Sequence, residues 1–122
     1  MKRFPSLKSS KEFALVYNKA DSFANRNLVM YKSKNFLDKN RIGISVSKKV
    51  GNSVVRHRLT RQLREIFRLE NSQYKNNKLN MSYDIIIIVK VNAAALTYHK
   101  LESAYMRLCG KLGLKDRNNE NG

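Results

Sequence analysis

The stretch that most restricts how this chain can fold is Tyr83 to Val91, YDIIIIVKV. It is apolar on both faces and rich in β-branched residues, so it reads as a central strand buried on both sides. Lys90, near its end, stands out, because a central strand rarely places an exposed charge there.

Two more strands precede it. Asn25 to Ser33 alternates, with Leu28, Met30 and Lys32 on one side and Val29 and Tyr31 on the other. Asp38, Lys39 and Asn40 suit a turn. Arg41 to Ser47, RIGISVS, then turns Ile42, Ile44 and Val46 one way and Gly43, Ser45 and Ser47 the other. That second side is small and polar, as in a strand lining a groove. A hairpin between these two strands is the expected pairing.

Helices are expected at both ends. Pro5 discourages a helix in the basic residues 1–8, which read as extended. Ser9 or Ser10 can cap a first helix running through Glu12, Phe13, Val16 and Tyr17 to about Lys19. Its aromatics share a face, and by spacing alone they read as core. Thr97 can cap a last helix whose stripe is Leu101, Ala104, Tyr105, Leu108 and Leu112, with Gly113 as its stop. Asn71 to Ser82 reads as a polar connection without regular structure.

The segment Lys48 to Arg68, KKVGNSVVRHRLTRQLREIFR, carries the charge. Gly51 and Asn52 suit a tight turn, and Ser53 is the expected helix cap. At about 100° per residue, Val55, Leu59, Leu63, Ile66 and Phe67 form an apolar stripe, while His57, Arg61, Arg64 and Arg68 lie opposite. Arg58 flanks that arc, and Arg56 sits in the first turn beside Lys48 and Lys49. A run of charge is ordinarily a solvated face. Here seven cations meet one carboxylate, Glu65, and like charges one turn apart repel. An anion would relieve that repulsion, and the planar guanidinium fits phosphate with two hydrogen bonds. The face reads as a polyanion-binding surface.

Composition supports this reading. The 122 residues suffice for one domain without metals or disulfides, and 25 basic against 9 acidic residues give a net charge of +16. A balance of that kind points to nucleic acid or an anionic membrane. No apolar run approaches the roughly 20 residues of a spanning helix, which disfavours the membrane. The N-terminus lacks the apolar centre of a secretory signal. Cys109 is alone and fits a reducing cytoplasm. The domain is expected over residues 1–115, with a flexible polar tail over 116–122.

Protein-based catalysis is hard to assemble from these residues. His57 and His99 are the only histidines, and Asp21, Asp38, Asp84 and Glu102 are scattered singly. Neither paired carboxylates nor metal-ligand spacing stands out. Such a chain binds more readily than it cuts.

The words themselves then resemble the bacterial ribonuclease P protein family, over roughly residues 4–112. They are Ser45-Val46-Ser47-Lys48-Lys49, Val50-Gly51-Asn52, Arg56-His57-Arg58 followed by Arg61 and Arg64, and Ser22, Ala24, Asn25 and Arg26 before the first strand. The chain departs from the family at His57, where Asn is usual. The resemblance implies an α+β fold, a compact two-layer sandwich of a mixed β-sheet packed with helices. In it the basic helix links two parallel strands by a left-handed βαβ crossover, against the usual hand.

The resemblance also implies a function, as protein subunit of ribonuclease P. The catalyst is then an RNA that uses Mg²⁺ to cut precursor tRNA at its mature 5′ end, and this chain supplies no catalytic residue and no organic cofactor. Lys48, Lys49, Asn52, Arg56, His57, Arg58, Arg61, Arg64 and Arg68 would bind the ribonuclease P RNA. Phe13, Tyr17 and Tyr31, with Ser45, Ser47 and Lys90, would line a cleft for the single-stranded 5′ leader of precursor tRNA. That moves the three aromatics out of the core. A structural RNA-binding protein of ribosomal type and a protein nuclease are the competing readings.

Overall fold

The computed structural model describes residues 9–35, 39–73 and 82–112. Residues 1–8, the expected stop at Gly113 and the tail 116–122 lie outside them, as does Asp38 of the expected turn. In chain order come α1 (Ser10–Lys19), β1 (Asp21–Ala24), β2 (Leu28–Lys34), β3 (Arg41–Val46), α2 (Ser53–Gln73), β4 (Tyr83–Val89), a 3₁₀ turn (Val91–Ala95) and α3 (Tyr98–Lys111).

The four strands form one mixed sheet in the order β1-β2-β4-β3. β4 takes an interior place, antiparallel to β2 and parallel to β3. Its side chains divide between the faces as its composition demands. Ile85, Ile87 and Val89 join Leu28, Met30 and Ile42 in the main core, beneath Leu59, Leu63, Ile66 and Phe67 of α2 and Leu101, Tyr105 and Leu108 of α3. Ile86 and Ile88 point the other way, where Val16 and Phe13 of α1 and Ala20 just after it meet them beside Tyr31. The fold is α+β, with two helices against one face of the sheet and α1 against part of the other.

The expected hairpin between the strands at 25–33 and 41–47 does not form. β2 and β3 each pair with β4, which lies between them. At an edge β4 would leave one row of backbone groups unpaired and part of its apolar surface wet, so the centre is its most favourable place. Parallel neighbours need a long crossover, and the β3–α2–β4 connection supplies it. Three other boundaries differ from expectation. β1 was not foreseen, since its four residues are all exposed and carry no alternation of burial. α2 continues through Asn71 to Gln73, where a structureless connection was expected, and residues 74–81 lie outside the described ones. The last strand stops at Val89, leaving Lys90 to lead into the 3₁₀ turn.

Two end caps follow the sequence closely. Ser9 accepts from the Glu12 amide at 3.1 Å while Glu12 accepts from the Ser9 amide at 3.3 Å, a reciprocal capping box. Thr97 caps α3 through the Lys100 amide. Glu12 also reaches the sheet, taking a 3.3 Å bond from Arg41. Arg41 grips Asp84 across the parallel strands, Nε to Oδ1 and Nη2 to Oδ2 at 2.8 Å each, and Asn35 adds a third donor at 2.8 Å. The bond to Asp84 raises the pKa of Arg41 above its ordinary value, against the opposing effect of burial.

Asp84 is only 6% exposed, so its charge depends on these donors. Arg41→Ala is expected to destabilise the fold by about 3 kcal/mol, because it strands a buried carboxylate. Denaturant unfolding of the two proteins measures that loss, and an unchanged midpoint contradicts it.

Candidate nucleic-acid interface

The cationic segment starts where β3 stops. The Val50 amide closes a turn on Ser47 at 3.1 Å, and Val50 tucks into the core. Gly51 is tightly required, since a Cβ there would stand 2.9 Å from the Val55 side chain. The helix cap is Asn52 rather than Ser53. Asn52 Oδ1 accepts from the Val55 amide at 3.0 Å and its carbonyl accepts from Arg56 at 2.9 Å. Ser53 is already the first helical residue, one position too late to cap.

The two faces of α2 separate as its periodicity predicts. Leu59, Leu63, Ile66 and Phe67 are buried, and His57, Arg61, Arg64 and Arg68 are exposed. Among the described residues the side chains of Arg61 and Arg64 have no ion pair or hydrogen bond, and Lys48 and Lys49 are likewise exposed. Arg68 differs, because Glu65 one turn earlier receives two hydrogen bonds from it. The Arg68 guanidinium holds the Glu65 carboxyl below the usual carboxylate range. Arg56 donates to the Gly51 carbonyl at 3.2 Å, and Arg58 turns toward the backbone at Ala94 and Leu96. The nine candidate residues therefore sit on one helix and its leading turn but in unequal states. Arg61 and Arg64 are the most available to an external anion.

On the opposite face of the sheet, Phe13, Tyr17 and Tyr31 form one aromatic group. The Phe13 and Tyr17 rings are 6.3 Å apart, and Tyr17 meets Tyr31 edge-on at 4.8 Å. Tyr17 keeps 38% of its surface exposed. Its phenol is pushed up by burial and then by Tyr31, so it stays neutral near pH 7. Ser45 belongs to the same face, since it pairs with Ile88 and alternates with the core residues Ile44 and Val46. β3 and β4 run parallel with Val46 beside Val89, so Ser47 and Lys90 follow at the same end of the sheet. The Lys48–Lys49 turn leaves from that end as well.

A residue not foreseen as a site member organises this end. Asn25 accepts from the amides of Asn27 and Leu28 at 2.9 Å each and donates to the Ala104 carbonyl at 3.0 Å. Its own carbonyl accepts the Lys90 ammonium at 2.8 Å. The signal for the turn was an Asn tolerant of turn geometry just before a strand, whereas the reach to Lys90 has no local signature. On the far flank of α1 lies a separate open depression of about 610 Å³, lined among others by Leu15, Lys19, Ser33, Asn35 and Arg41. The Arg41–Asp84 pair occupies its polar wall.

Among the described residues no three His, Cys, Asp or Glu side chains gather as a metal site, and no described helix is long and apolar enough to cross a membrane. A cationic helix face and a partly exposed aromatic group, on one small α+β domain, are the features of a nucleic-acid-binding protein. Comparison with known proteins specifies which kind. The family model for Ribonuclease P matches residues 1–113. The ribonuclease P protein component of Lachnoclostridium phytofermentans is 50% identical over 103 residues, covering 84% of each chain. That of Alkaliphilus metalliredigens is 44% identical over 108 residues, covering 88% of this chain and 93% of the relative. A solved structure of the Staphylococcus aureus RNase P protein superposes with a TM-score of 0.75 at 31% identity, covering 88% of this chain and 94% of that one.

The chain belongs to the ribonuclease P protein family. It is thereby a subunit of a ribonuclease P holoenzyme, the endonuclease of tRNA 5′ maturation, and has an RNA partner in that ribonucleoprotein. The membership does not favour the ribosomal-type reading.

The capping correction makes a direct prediction. Asn52→Ala should cost about 1 kcal/mol of stability, and Ser53→Ala only a few tenths. Thermal melting of both variants checks it, and the reverse order would restore Ser53 as the cap.

Proposed function

We propose that this chain binds the catalytic RNA of ribonuclease P through the outer face of α2 and the Lys48–Lys49 turn. On the same proposal it holds the single-stranded 5′ leader of precursor tRNA along the cleft of Phe13, Tyr17 and Tyr31, with Ser45, Ser47 and Lys90 at its open end. The observation that carries this reading is the partly exposed Tyr17–Tyr31 pair on the sheet face opposite α2 and α3. A core pair would be covered on all sides.

The chemistry of these groups supports such a division of work. Stacking on an aromatic ring is sequence-tolerant and worth about 1–3 kcal/mol per base, which suits leaders of differing sequence. Unpaired arginines and lysines release counterions from RNA and reduce repulsion between the catalytic RNA and its substrate. Mg²⁺ supplies the chemistry of phosphodiester hydrolysis in this reading. The described residues do not fit a protein site for it, because no three of their His, Cys, Asp or Glu side chains gather, and the carboxylates near these surfaces, Glu65 and Glu12, are held by Arg68 and Arg41. The metal is therefore assigned mainly to the RNA, and the particle to the cytoplasm.

Reconstitution with a bacterial ribonuclease P RNA at low Mg²⁺ tests the whole reading. Site-specific processing of precursor tRNA should need both components, and cleavage by the RNA-free chain overturns it. Within the complex, Tyr17→Ala should weaken a precursor with a leader of several nucleotides by about 1–3 kcal/mol and leave leaderless tRNA nearly unaffected. Equal losses for both substrates would return Tyr17 to a packing role. Replacing Arg61 and Arg64 together by Ala should reduce the slope of log affinity against log salt by about one unit per residue. An unchanged slope would mean that this face is only solvated.

A further inference from the structure

Arg58 is grouped by sequence with the phosphate-facing arginines, yet its guanidinium is turned inward. It is half-buried, and Nη2 donates to the Ala94 carbonyl at 2.6 Å while Nη1 reaches the Leu96 carbonyl at 3.5 Å. These carbonyls lie at the end of the 3₁₀ turn Val91–Ala95, where backbone acceptors run out of helical donors. A charged donor bridging two such carbonyls makes a stronger tie than a neutral one.

The turn so held begins directly after Lys90. The Ala93 amide donates to the Lys90 carbonyl at 3.0 Å, the Leu96 amide donates back to Ala93 at 3.1 Å, and Ala93 itself is fully buried. Lys90 is fixed from the other side as well, by its amide on the Asn27 carbonyl at 2.9 Å and its ammonium on the Asn25 carbonyl. The backbone between Arg58's anchor and Lys90 is thus a short, closed unit with one buried alanine at its centre.

We propose that Arg58 is a positioning residue, which clamps the Val91–Ala95 turn to α2 and so fixes Lys90 at the end of the aromatic cleft, rather than binding an RNA phosphate itself. The inference rests on the leader-binding reading above. It means that α2 and the cleft rim are held in register through one side chain, although they serve different RNA segments. Lysine cannot replace it, since a single ammonium keeps the charge but lacks the planar fork that spans both carbonyls.

Arg58→Lys separates the two roles, because it preserves a phosphate-binding charge and removes the bridge. Hydrogen exchange of the free protein should accelerate several-fold at the amides of Ala93 and Leu96. In the reconstituted holoenzyme the preference for long-leader over leaderless precursor should fall several-fold, while the salt slope for the catalytic RNA stays that of the parent. Arg61→Ala should show the opposite pattern, with a reduced slope and unchanged exchange at the turn. Unaltered exchange in Arg58→Lys overturns the clamp. Faster exchange with an intact leader preference, in a complex where Tyr17→Ala does reduce it, overturns the positioning role. If Tyr17→Ala leaves the preference intact too, the leader reading itself has failed and the inference goes with it.

Discussion

Burial of β4 on both faces is the constraint on which the rest of the molecule depends. Four successive isoleucines leave no side of this strand fit for water, so helices must stand above and below it. α2 and α3 meet one set of its side chains and α1 the other. The polar exception, Asp84, sits at the strand's beginning, where Arg41 and Asn35 satisfy it. The network continues through Arg41 to Glu12, so the same contact that neutralises the buried carboxylate also docks α1.

That placement of β4 determines where function can reside. Because β3 and β4 are parallel neighbours, the turn leaving β3 and the turn leaving β4 emerge at one end of the sheet. The first carries Lys48 and Lys49 into the cationic helix. The second carries Lys90 and the 3₁₀ turn. An antiparallel pairing of the same strands would have put these two turns at opposite ends. The crossover is therefore what brings the Lys48–Lys49 turn and Lys90 to one end of the sheet.

Much of this was legible in the chain, because it depends on local chemistry. A cap at Ser9 or Ser10, which the backbone resolves to Ser9, the cap at Thr97 and the buried stripe of α3 all follow from residues within one or two helical turns. The faces of β2 and β3 follow from alternation. What escaped was long-range or one residue out of phase. The hairpin was wrong because alternation identifies a strand's faces and says nothing of its neighbours. Asn52 and Ser53 are both good caps, and only the backbone shows which one precedes the first helical residue. Among the arginines, the wheel placed Arg58 on the flank of the basic arc. Its turn toward Ala94 depends on a loop thirty-six positions away in sequence. The aromatic group of Phe13, Tyr17 and Tyr31 was indistinguishable from core by spacing, and its reading as a leader cleft came from the family resemblance alone.

The pairing of Arg68 with Glu65 has a consequence for how this molecule meets a polyanion. It neutralises Arg68 and leaves Arg61 and Arg64 at mid-helix, with Lys48 and Lys49 before the helix start, as exposed cations. The backbone adds to the same imbalance, because aligned peptide dipoles place about half a positive charge at a helix N-terminus. With 21 residues, α2 is roughly 30 Å long, while the screening length at physiological ionic strength is about 8 Å. The two ends are thus electrically separate, and an approaching RNA feels a field with a direction. On the proposed RNA-binding role, a polyanion would be drawn toward the helix start beside Lys48 and Lys49, which biases the orientation of the first encounter before any specific contact forms.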